Sequence, residues 1–253
     1  MKTSASVAER VIAVLWSLSE AGASLSLQDI ARRCDLAPST AHRLIKQLQA
    51  MGMVHQTRNR RYQPGSGLLS MGALAIGRSQ LVDTLRPLIH ETMRRLEKPC
   101  ILSLYMPTRF ARVVVIHRTS ATSHLIRSEH YPRRDLVWGA TGRAILAFLD
   151  AAEIDDAIER APPSPVTGRK PDRDTVLREL SVIRRQGYGA SQREVVPRGE
   201  AVAVPLFDNA RRVVGSLAVT EDDSRWNFTT RKYFAATLAE QSARLPSLLN
   251  SLS

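Results

Sequence analysis

Hydrophobic residues recur at helical spacing in three short stretches near the start of the chain. The first stretch runs from Val7 to Leu18 and ends at a turn that contains glycine. Ser26 then has the character of a helix N-cap, with Asp29 three residues later as its capping-box partner. Pro38 stands where the first turn of a third helix tolerates it. The pattern predicts three short helices joined by tight turns.

Two short strand-like pieces follow these helices, at residues 53–56 and 61–63. Residues 68–76 then form another apolar segment with helical spacing. Three helices followed by a two-stranded hairpin are typical of a winged helix-turn-helix. We therefore predict a winged helix-turn-helix DNA-binding domain over residues 1–66 and a linker helix over residues 67–80.

The pattern changes beyond residue 80, where strands and helices mix without regular alternation. A helix is predicted over residues 86–97, with Pro87 in its first turn, and Thr229 is predicted to cap the last helix. The other predicted elements are strands at 101–105, 113–117, 124–127, 201–206 and 213–220, and helices at 140–149, 153–160 and 172–186. This order predicts an antiparallel α+β domain over residues 81–253.

The charge of the chain points to a polyanionic partner. The net charge is +12, and half of it falls in residues 1–80. No apolar run is long enough to span a bilayer, and Glu9 and Arg10 interrupt the segment where a signal peptide would be apolar. Two cysteines, Cys34 and Cys100, make no disulfide framework. We expect a cytoplasmic protein without a membrane partner.

The third predicted helix carries the residue types that read DNA. Its apolar stripe of Leu44, Ile45 and Leu48 faces inward, so the step of about 100° per residue places polar side chains on the other face. Those side chains are Ser39, Thr40, His42, Arg43, Lys46 and Gln47. Arg43 can reach the edge of guanine and Gln47 that of adenine, while the hydroxyls at the helix start can bind phosphate.

The predicted hairpin tip adds a second basic element. Arg58, Arg60 and Arg61 suit a wing that lies along the phosphates or in a narrow minor groove. Exposed arginines on a helix are most often only solvated, and some winged helices serve protein–protein contacts instead. The coincidence of polar face, helix-turn-helix spacing and basic tip within one unit favours double-stranded DNA as the partner.

Several segments resemble the isocitrate lyase regulator (IclR) family of bacterial transcription factors. In the first domain they are Glu9-Arg10-Val11, Leu25-Ser26-Leu27-Gln28-Asp29-Ile30-Ala31, Leu36-Ala37-Pro38-Ser39-Thr40-Ala41-His42-Arg43-Leu44 and Arg61-Tyr62-Gln63-Pro64-Gly65. In the second they are Gly142-Arg143-Ala144, Arg184-Arg185-Gln186-Gly187-Tyr188, Ala203-Val204-Pro205-Leu206 and Val213-Val214-Gly215. The resemblance covers nearly the whole chain, and the order and spacing of these segments are more specific than any one of them.

The resemblance implies a GAF-like C-terminal domain that binds a small organic effector, often a carboxylate or an aromatic compound. It also implies homodimers, which in the family can pair into homotetramers on DNA. The residues that match the family's effector pocket are Trp138, Gly139, Ala140, Ser191, Ala201, Ala218 and Thr220.

This chain departs from the family pattern at several of those positions, where groups that form hydrogen bonds have become Gly or Ala. A buried polar ligand needs its polar groups paired, so we expect a larger and more apolar effector. The hypothesis is an aromatic acid, with Arg143 or Arg193 as the carboxylate partner. The alternatives are that these arginines are surface side chains and that the pocket is degenerate and binds no effector.

The sequence contains none of the usual catalytic motifs, so we predict no enzyme, no cofactor and no metal site. His117, His124 and His130 could in principle surround a metal ion, but their spacing matches no known motif. The prediction is a ligand-responsive DNA-binding transcriptional regulator that controls a catabolic operon. The alternatives are a small-molecule sensor whose winged helix contacts proteins and an enzyme with an accessory winged helix.

Overall fold

The computed structural model describes residues 6–77, 80–107, 111–118, 133–222 and 226–250. The chain forms two compact units, Met1–Ser79 and Gln80–Ser253. The helices are α1 (Val7–Ser19), α2 (Leu27–Arg33), α3 (Pro38–Ala50), α4 (Ser66–Gly77), α5 (Gln80–Leu96), α6 (Gly139–Leu146), α7 (Ala151–Arg160), α8 (Arg173–Gln186), α9 (Phe228–Ser242) and α10 (Leu245–Asn250). The strands are β1 (Val54–Gln56), β2 (Tyr62–Pro64), β3 (Cys100–Met106), β4 (Ala111–Arg118), β5 (Arg133–Asp135), β6 (Gly189–Gln192), β7 (Gly199–Phe207) and β8 (Val213–Asp222).

Local capping determines where the first two helices begin. Ser6 and Glu9 form a capping box at α1, and Ser26 and Asp29 form one at α2, so the predicted cap at Ser26 is confirmed. In each box the serine hydroxyl accepts a hydrogen bond from the third helical N–H, while the acidic side chain accepts one from the cap N–H. Both devices satisfy N–H groups that have no partner within the helix.

The core of the N-terminal unit joins all three predicted helices to the hairpin. Val14, Ile30, Leu44 and Ile45 are at most 1% exposed, and Tyr62 from β2 is 5% exposed. Burying an aliphatic side chain of this size contributes roughly 1.5–3 kcal/mol of stability. This contribution compensates for the low stability that such short helices have in isolation. Strands β1 and β2 pair antiparallel, and Leu25 extends the hairpin through hydrogen bonds of 2.8 and 2.7 Å with Tyr62.

The C-terminal unit is built on one antiparallel sheet with the strand order β5-β4-β3-β8-β7-β6. Helices α5, α9 and α10 cover one face, where Leu88, Ile89, Val202, Leu217 and Leu238 form the centre of the larger core. The predicted α+β class, with an N-terminal winged helix-turn-helix and an antiparallel C-terminal sheet, is confirmed.

Helix α6 lies close to the other face of the sheet because the contact is made of small side chains. Ala140 and Ala144 pack against Ala203, Ala218 and Ile101, and all five are at most 3% exposed. Large side chains on either surface would hold the helix farther from the strands. A further core, formed mainly by α6, α7 and α8, then covers the outer side of α6.

The structure differs from the sequence-based elements at several points. Pro87 lies inside α5 and not in its first turn, because burial of Leu85, Leu88 and Ile89 offsets the one hydrogen bond that proline cannot donate. The helix predicted to begin at Thr229 is α9, and it is capped by Asn227 instead, because the Asn227 side chain accepts a hydrogen bond from the N–H of Thr230. The short strands β5 and β6 were not predicted, and the predicted strand at 124–127 lies outside the described residues.

Candidate nucleic-acid interface and effector site

The exposed face of α3 presents the predicted DNA-reading side chains together. Ser39, His42, Arg43, Lys46 and Gln47 are exposed, and Thr40 is half-buried. The opposite face holds Leu44, Ile45 and Leu48, each at most 3% exposed. No Asp or Glu occurs within α3, so the basic side chains meet no carboxylate on their own helix.

The N-terminus of α3 is open to a phosphate. Its cap residue, Ala37, makes no side-chain hydrogen bond, and Pro38 occupies the first turn. The first-turn N–H groups therefore keep their partial positive charge, to which the helix dipole adds. Ser39 and Thr40 add hydroxyl groups at the same end, which makes a favourable place for a phosphate oxygen.

The wing tip holds two unpaired cations. Arg58 and Arg60 are exposed, and neither forms an ion pair with any residue that the structure describes. The tip is closed by backbone hydrogen bonds between Thr57 and Arg61 (2.8 Å) and between Arg60 and Thr57 (3.0 Å). Arg60 has a φ of +55°, a left-handed conformation that is strained for a residue with a side chain.

Arg61, the third predicted contact of the wing, is bound within the unit instead. Its Nε donates a hydrogen bond of 2.8 Å to the carbonyl oxygen of Ser24, and its Nη2 lies 3.6 Å from Oδ2 of Asp29. The guanidinium of Arg61 thus ties the hairpin to the start of α2, while its contact with DNA stays a prediction. Sequence reasoning could not single out Arg61, because all three arginines stand in one basic run.

A small cavity lies in the C-terminal unit at the start of α6, between that helix, the sheet and the loop after β6. Its volume is about 40 Å³. It is lined by Ile101, Gly139, Ala140, Thr141, Ser191, Glu194, Val195, Val196, Gly199, Glu200, Ala201 and Thr220. Five of the seven residues predicted for the effector site are therefore brought together there.

The two other predicted effector residues lie elsewhere. The indole Nε1 of Trp138 donates to the carbonyl oxygen of Pro162 at 2.8 Å, and the ring does not line the cavity. Ala218 is fully buried in the alanine layer between α6 and the sheet. It supports the floor of the site without reaching it.

Hydrogen bonds position the first turn of α6 at this cavity. Oδ1 of Asp135 accepts from the N–H groups of Val137 (2.8 Å) and Trp138 (3.0 Å), which holds the turn before the helix. Oγ of Ser191 accepts from the N–H of Ala140 at 2.9 Å. Gly139 has a φ of +81°, and a Cβ there would lie 2.7 Å from Val195 Cγ2, so glycine alone fits this position.

Neither arginine proposed as a carboxylate partner stands free at the cavity. Arg143 has a side chain only 6% exposed, and its guanidinium donates to the carboxylates of Glu179 and Glu194. Arg193 is exposed and does not line the cavity. Arg143 therefore already has two carboxylate partners within the chain, and the pairing of either arginine with an effector carboxylate stays a prediction.

Sequence reasoning missed the side chains that cover the cavity, chiefly Glu194, Val195 and Val196. They follow a strand of small and polar residues, Gly189–Gln192, which lacks a hydrophobic alternation. Backbone hydrogen bonds between Arg193 and Gly199 (2.7 Å) and between Gly199 and Val196 (3.1 Å) fold this loop over the site. These contacts leave no local pattern in the sequence.

The surroundings of the two cysteines are those of structural residues and not of reactive thiols. Cys100 is fully buried, its Sγ–H donates to the carbonyl oxygen of Lys98 at 3.4 Å, and burial raises the pKa of its thiol to about 12. Burial also raises the pKa of Cys34. Such thiols stay protonated at neutral pH and are poor nucleophiles.

Two classes of site are absent from the part of the chain that the structure describes. There, no group of three His, Cys, Asp or Glu side chains could hold a metal ion. No helix within the same ranges has the length and apolar character that crossing a membrane requires. The structural description stops before His124 and His130 and resumes after them.

Comparison with protein families accounts for both units. The C-terminal domain of the bacterial transcriptional regulator IclR matches residues 73–247, and the IclR helix-turn-helix domain matches residues 7–58. The chain belongs to the IclR family. Members of the IclR family are transcriptional regulators, so the prediction of a DNA-binding regulator rather than an enzyme is confirmed.

Individual relatives and structures agree with the IclR assignment. The HTH-type transcriptional regulator XynR of Escherichia coli (strain K12) is 26% identical over 220 residues, which cover 86% of each chain. A putative IclR regulator from Silicibacter sp. TM1040 superimposes with a TM-score of 0.80 at 22% identity, over 96% of this chain and 95% of its own. An IclR homologue from Microbacterium hydrocarbonoxydans, solved with 4-hydroxybenzoate, has a TM-score of 0.71 at 20% identity, over 97% and 100% of the two chains.

Proposed function

We propose that this IclR-family regulator reads an operator with the exposed face of α3. The observation that carries the proposal is the combination of an uncapped helix N-terminus with basic side chains on one exposed face, which form no ion pair within the described ranges. Arg43 contacts a guanine edge and Gln47 an adenine edge, and Lys46 binds phosphate. Ser39, Thr40 and the first-turn N–H groups bind a neighbouring phosphate, and His42 lies at the border of this surface.

The wing contributes affinity for DNA of any sequence. Arg58 and Arg60 are exposed cations without partners among the described residues, so they are available to the phosphates or to a narrow minor groove. Arg61 stabilises the hairpin through its bond to Ser24. Its side chain is 44% exposed, and this exposed part is available for a contact with DNA.

The protein acts on DNA as a homodimer, or as a tetramer made of two dimers. The N-terminal unit supports this through an apolar hollow of about 250 Å³ lined by Ile12, Leu15, Trp16, Ser19 and Leu68. Three large apolar residues of α4 are also 57–73% exposed, namely Leu69, Met71 and Leu74. A second copy that covers this surface would bring two recognition helices into one dimer, and dimeric helix-turn-helix proteins bind half-sites about 34–36 Å apart.

The effector is a small organic acid, with an aromatic acid as the favoured class, and it binds at the cavity beside α6 to control a catabolic operon. The small, aliphatic and hydroxyl side chains of the lining, which also includes the carboxylates of Glu194 and Glu200, support this class. At about 40 Å³ the cavity is smaller than the roughly 150 Å³ that holds a benzene ring, so binding requires the covering loop to move.

A gel-shift series over several salt concentrations tests the regulator. The probes are the intergenic DNA upstream of the protein's own gene and a random fragment of equal length. Specific, salt-dependent retardation of the upstream fragment is the expected result. Equal, weak binding to both fragments would contradict the proposal and favour a winged helix that contacts proteins.

Thermal shifts with a panel of aromatic acids test the effector, and the absence of any shift would indicate a degenerate pocket.

A further inference from the structure

The chain itself supplies two carboxylates to the effector cavity, those of Glu194 and Glu200. Glu200 is 2% exposed and accepts a hydrogen bond of 2.6 Å from Nε2 of Gln192, whereas Glu194 lies at the start of α6. Oε2 of Glu194 accepts a hydrogen bond from the N–H of Gly139 at 3.3 Å and another from Nη2 of Arg143. Gly139 is the first residue of α6, and Ser191 accepts from the N–H of the next residue. The positive end of this helix is therefore occupied by side chains of the same molecule.

The buried guanidinium beside the cavity leaves no room for another anion. The Arg143 side chain is 6% exposed and lies between Glu194, which is 29% exposed, and Glu179, which is 44% exposed. A ligand carboxylate added to this cluster would place three anions around one cation. If the ligand carboxylate instead took the place of the Glu194 carboxylate, the net charge around Arg143 would stay unchanged.

The volume of the cavity also indicates that a ligand must displace Glu194. A ring such as benzene occupies a cavity of roughly 150 Å³, whereas this one measures about 40 Å³. Glu194, Val195 and Val196 line the cavity and belong to one loop, which is closed by the hydrogen bond between Arg193 and Gly199. Movement of this loop removes the competing carboxylate and enlarges the cavity in the same step.

We propose that Glu194 is an internal ligand of the effector cavity, and that the effector is a carboxylate that replaces it on Gly139 and Arg143. This inference rests on the proposed effector function of the same cavity. Release of Glu194 frees the loop after β6, so binding changes the conformation of the C-terminal unit. A neutral isostere of the acid gains little, because it cannot restore the negative charge that Arg143 loses.

Substitution of Glu194 tests the proposal without any DNA. Calorimetry compares benzoate with benzamide on the wild type and on Glu194→Ala, and melting temperatures are measured with acetate and with acetamide. Benzoate is expected to bind Glu194→Ala about tenfold more tightly than the wild type, since the charged competitor is gone. Acetate, which fits the vacated space, should raise the melting temperature of the variant but not of the wild type.

Glu179→Gln is the matched control. It also removes a carboxylate from Arg143, but it leaves Glu194 on Gly139, so its affinity for benzoate should stay within about twofold of the wild type. Glu194→Gln preserves the size of the side chain and provides a second reading if the alanine variant does not fold. It should also bind benzoate more tightly than the wild type.

Three results would overturn the proposal. They are equal benzoate affinity in Glu194→Ala and the wild type, equal gains for benzamide and benzoate, and a Glu179→Gln variant that matches Glu194→Ala. The gel shift of wild-type protein on its upstream DNA is independent of these measurements. A failed gel shift together with the expected benzoate result would refute the proposed reading of this operator by α3 and retain the internal ligand.

Discussion

Nε of Arg61 donates a hydrogen bond of 2.8 Å to the carbonyl oxygen of Ser24. This contact fixes the wing to the loop that precedes α2, beside the backbone pairing of Leu25 with Tyr62. An arginine that sequence alone assigns to DNA thus stabilises the hairpin that carries Arg58 and Arg60.

Arg61→Ala should therefore act first on stability. Loss of this hydrogen bond is expected to cost about 1 kcal/mol, which corresponds to roughly fivefold faster hydrogen exchange at the Leu25 and Tyr62 amides. Hydrogen-exchange mass spectrometry of the peptides that contain these residues measures it. Arg58→Ala removes the same charge from a side chain without a partner in the described ranges, and it should leave the exchange unchanged. Equal effects of the two substitutions would contradict a structural role for Arg61.

Arg43→Ala is expected to weaken sequence preference at the base that Arg43 contacts. Loss of a bidentate contact to a base costs about 1–3 kcal/mol at the matched site and relaxes specificity there. Competition gel shifts with the upstream fragment and single-base variants measure the change. Arg94→Ala, which removes an exposed arginine from α5, is the charge-matched control. Retained preference for the upstream fragment in Arg43→Ala would show that α3 does not read bases through this residue.

Arg60→Gly separates the charge of the wing from its backbone strain. Glycine adopts the φ of +55° without strain, so the variant should gain up to about 1 kcal/mol in stability. The lost cation should lower affinity for all DNA sequences and reduce the slope of log K against log salt by about 1. Arg58→Ala should show the change in slope without the gain in stability. An unchanged slope in both variants would place the wing away from the phosphates.

The lowered pKa of Asp29 makes the stability of the protein depend on pH in the acidic range. Hydrogen bonds from Ser26 lower the pKa of the Asp29 carboxyl, and the charges of Arg32 and Arg61 lower it further. A lowered folded-state pKa stabilises the protein above the unfolded value of 3.8 and loses that effect as pH falls through the folded value. The difference in urea midpoint between the wild type and Asp29→Asn should thus be largest near neutral pH and shrink below about pH 4. A difference that grew in acid would contradict this assignment.

Two glycines in helices should respond in opposite directions to alanine. A Cβ at Gly142 in α6 would lie 2.7 Å from the carbonyl oxygen of Leu136, so Gly142→Ala should destabilise the protein by roughly 1–3 kcal/mol. Gly72 in α4 has open space around the position of its Cβ, and Gly72→Ala should stabilise by about 0.4–1 kcal/mol. Melting temperatures of both variants measure this, and a neutral Gly142→Ala would show that α6 can move away from the turn before it.

The N-terminal unit could be predicted almost completely because its signals are local. The N-cap at Ser26, the start of α3 at Pro38 and the exposed face with Arg43 all follow from spacing within a few residues. In the C-terminal unit the same reasoning found α8 and the long strands but missed β6. Gly189–Gln192 contains small and polar residues whose strand form depends on its pairing with β7.

The sequence by itself determined which face of α3 is apolar, that Ser26 caps α2, that the N-terminal part is basic and to which family the chain belongs. Those properties depend on short-range spacing and composition. Only the tertiary structure decided that Arg61 is held by Ser24, 37 residues earlier, and that Arg143 is held by Glu194, 51 residues later. The physical reason is that a charged side chain has the same local pattern whether it faces water or a distant partner, and folding alone chooses between them.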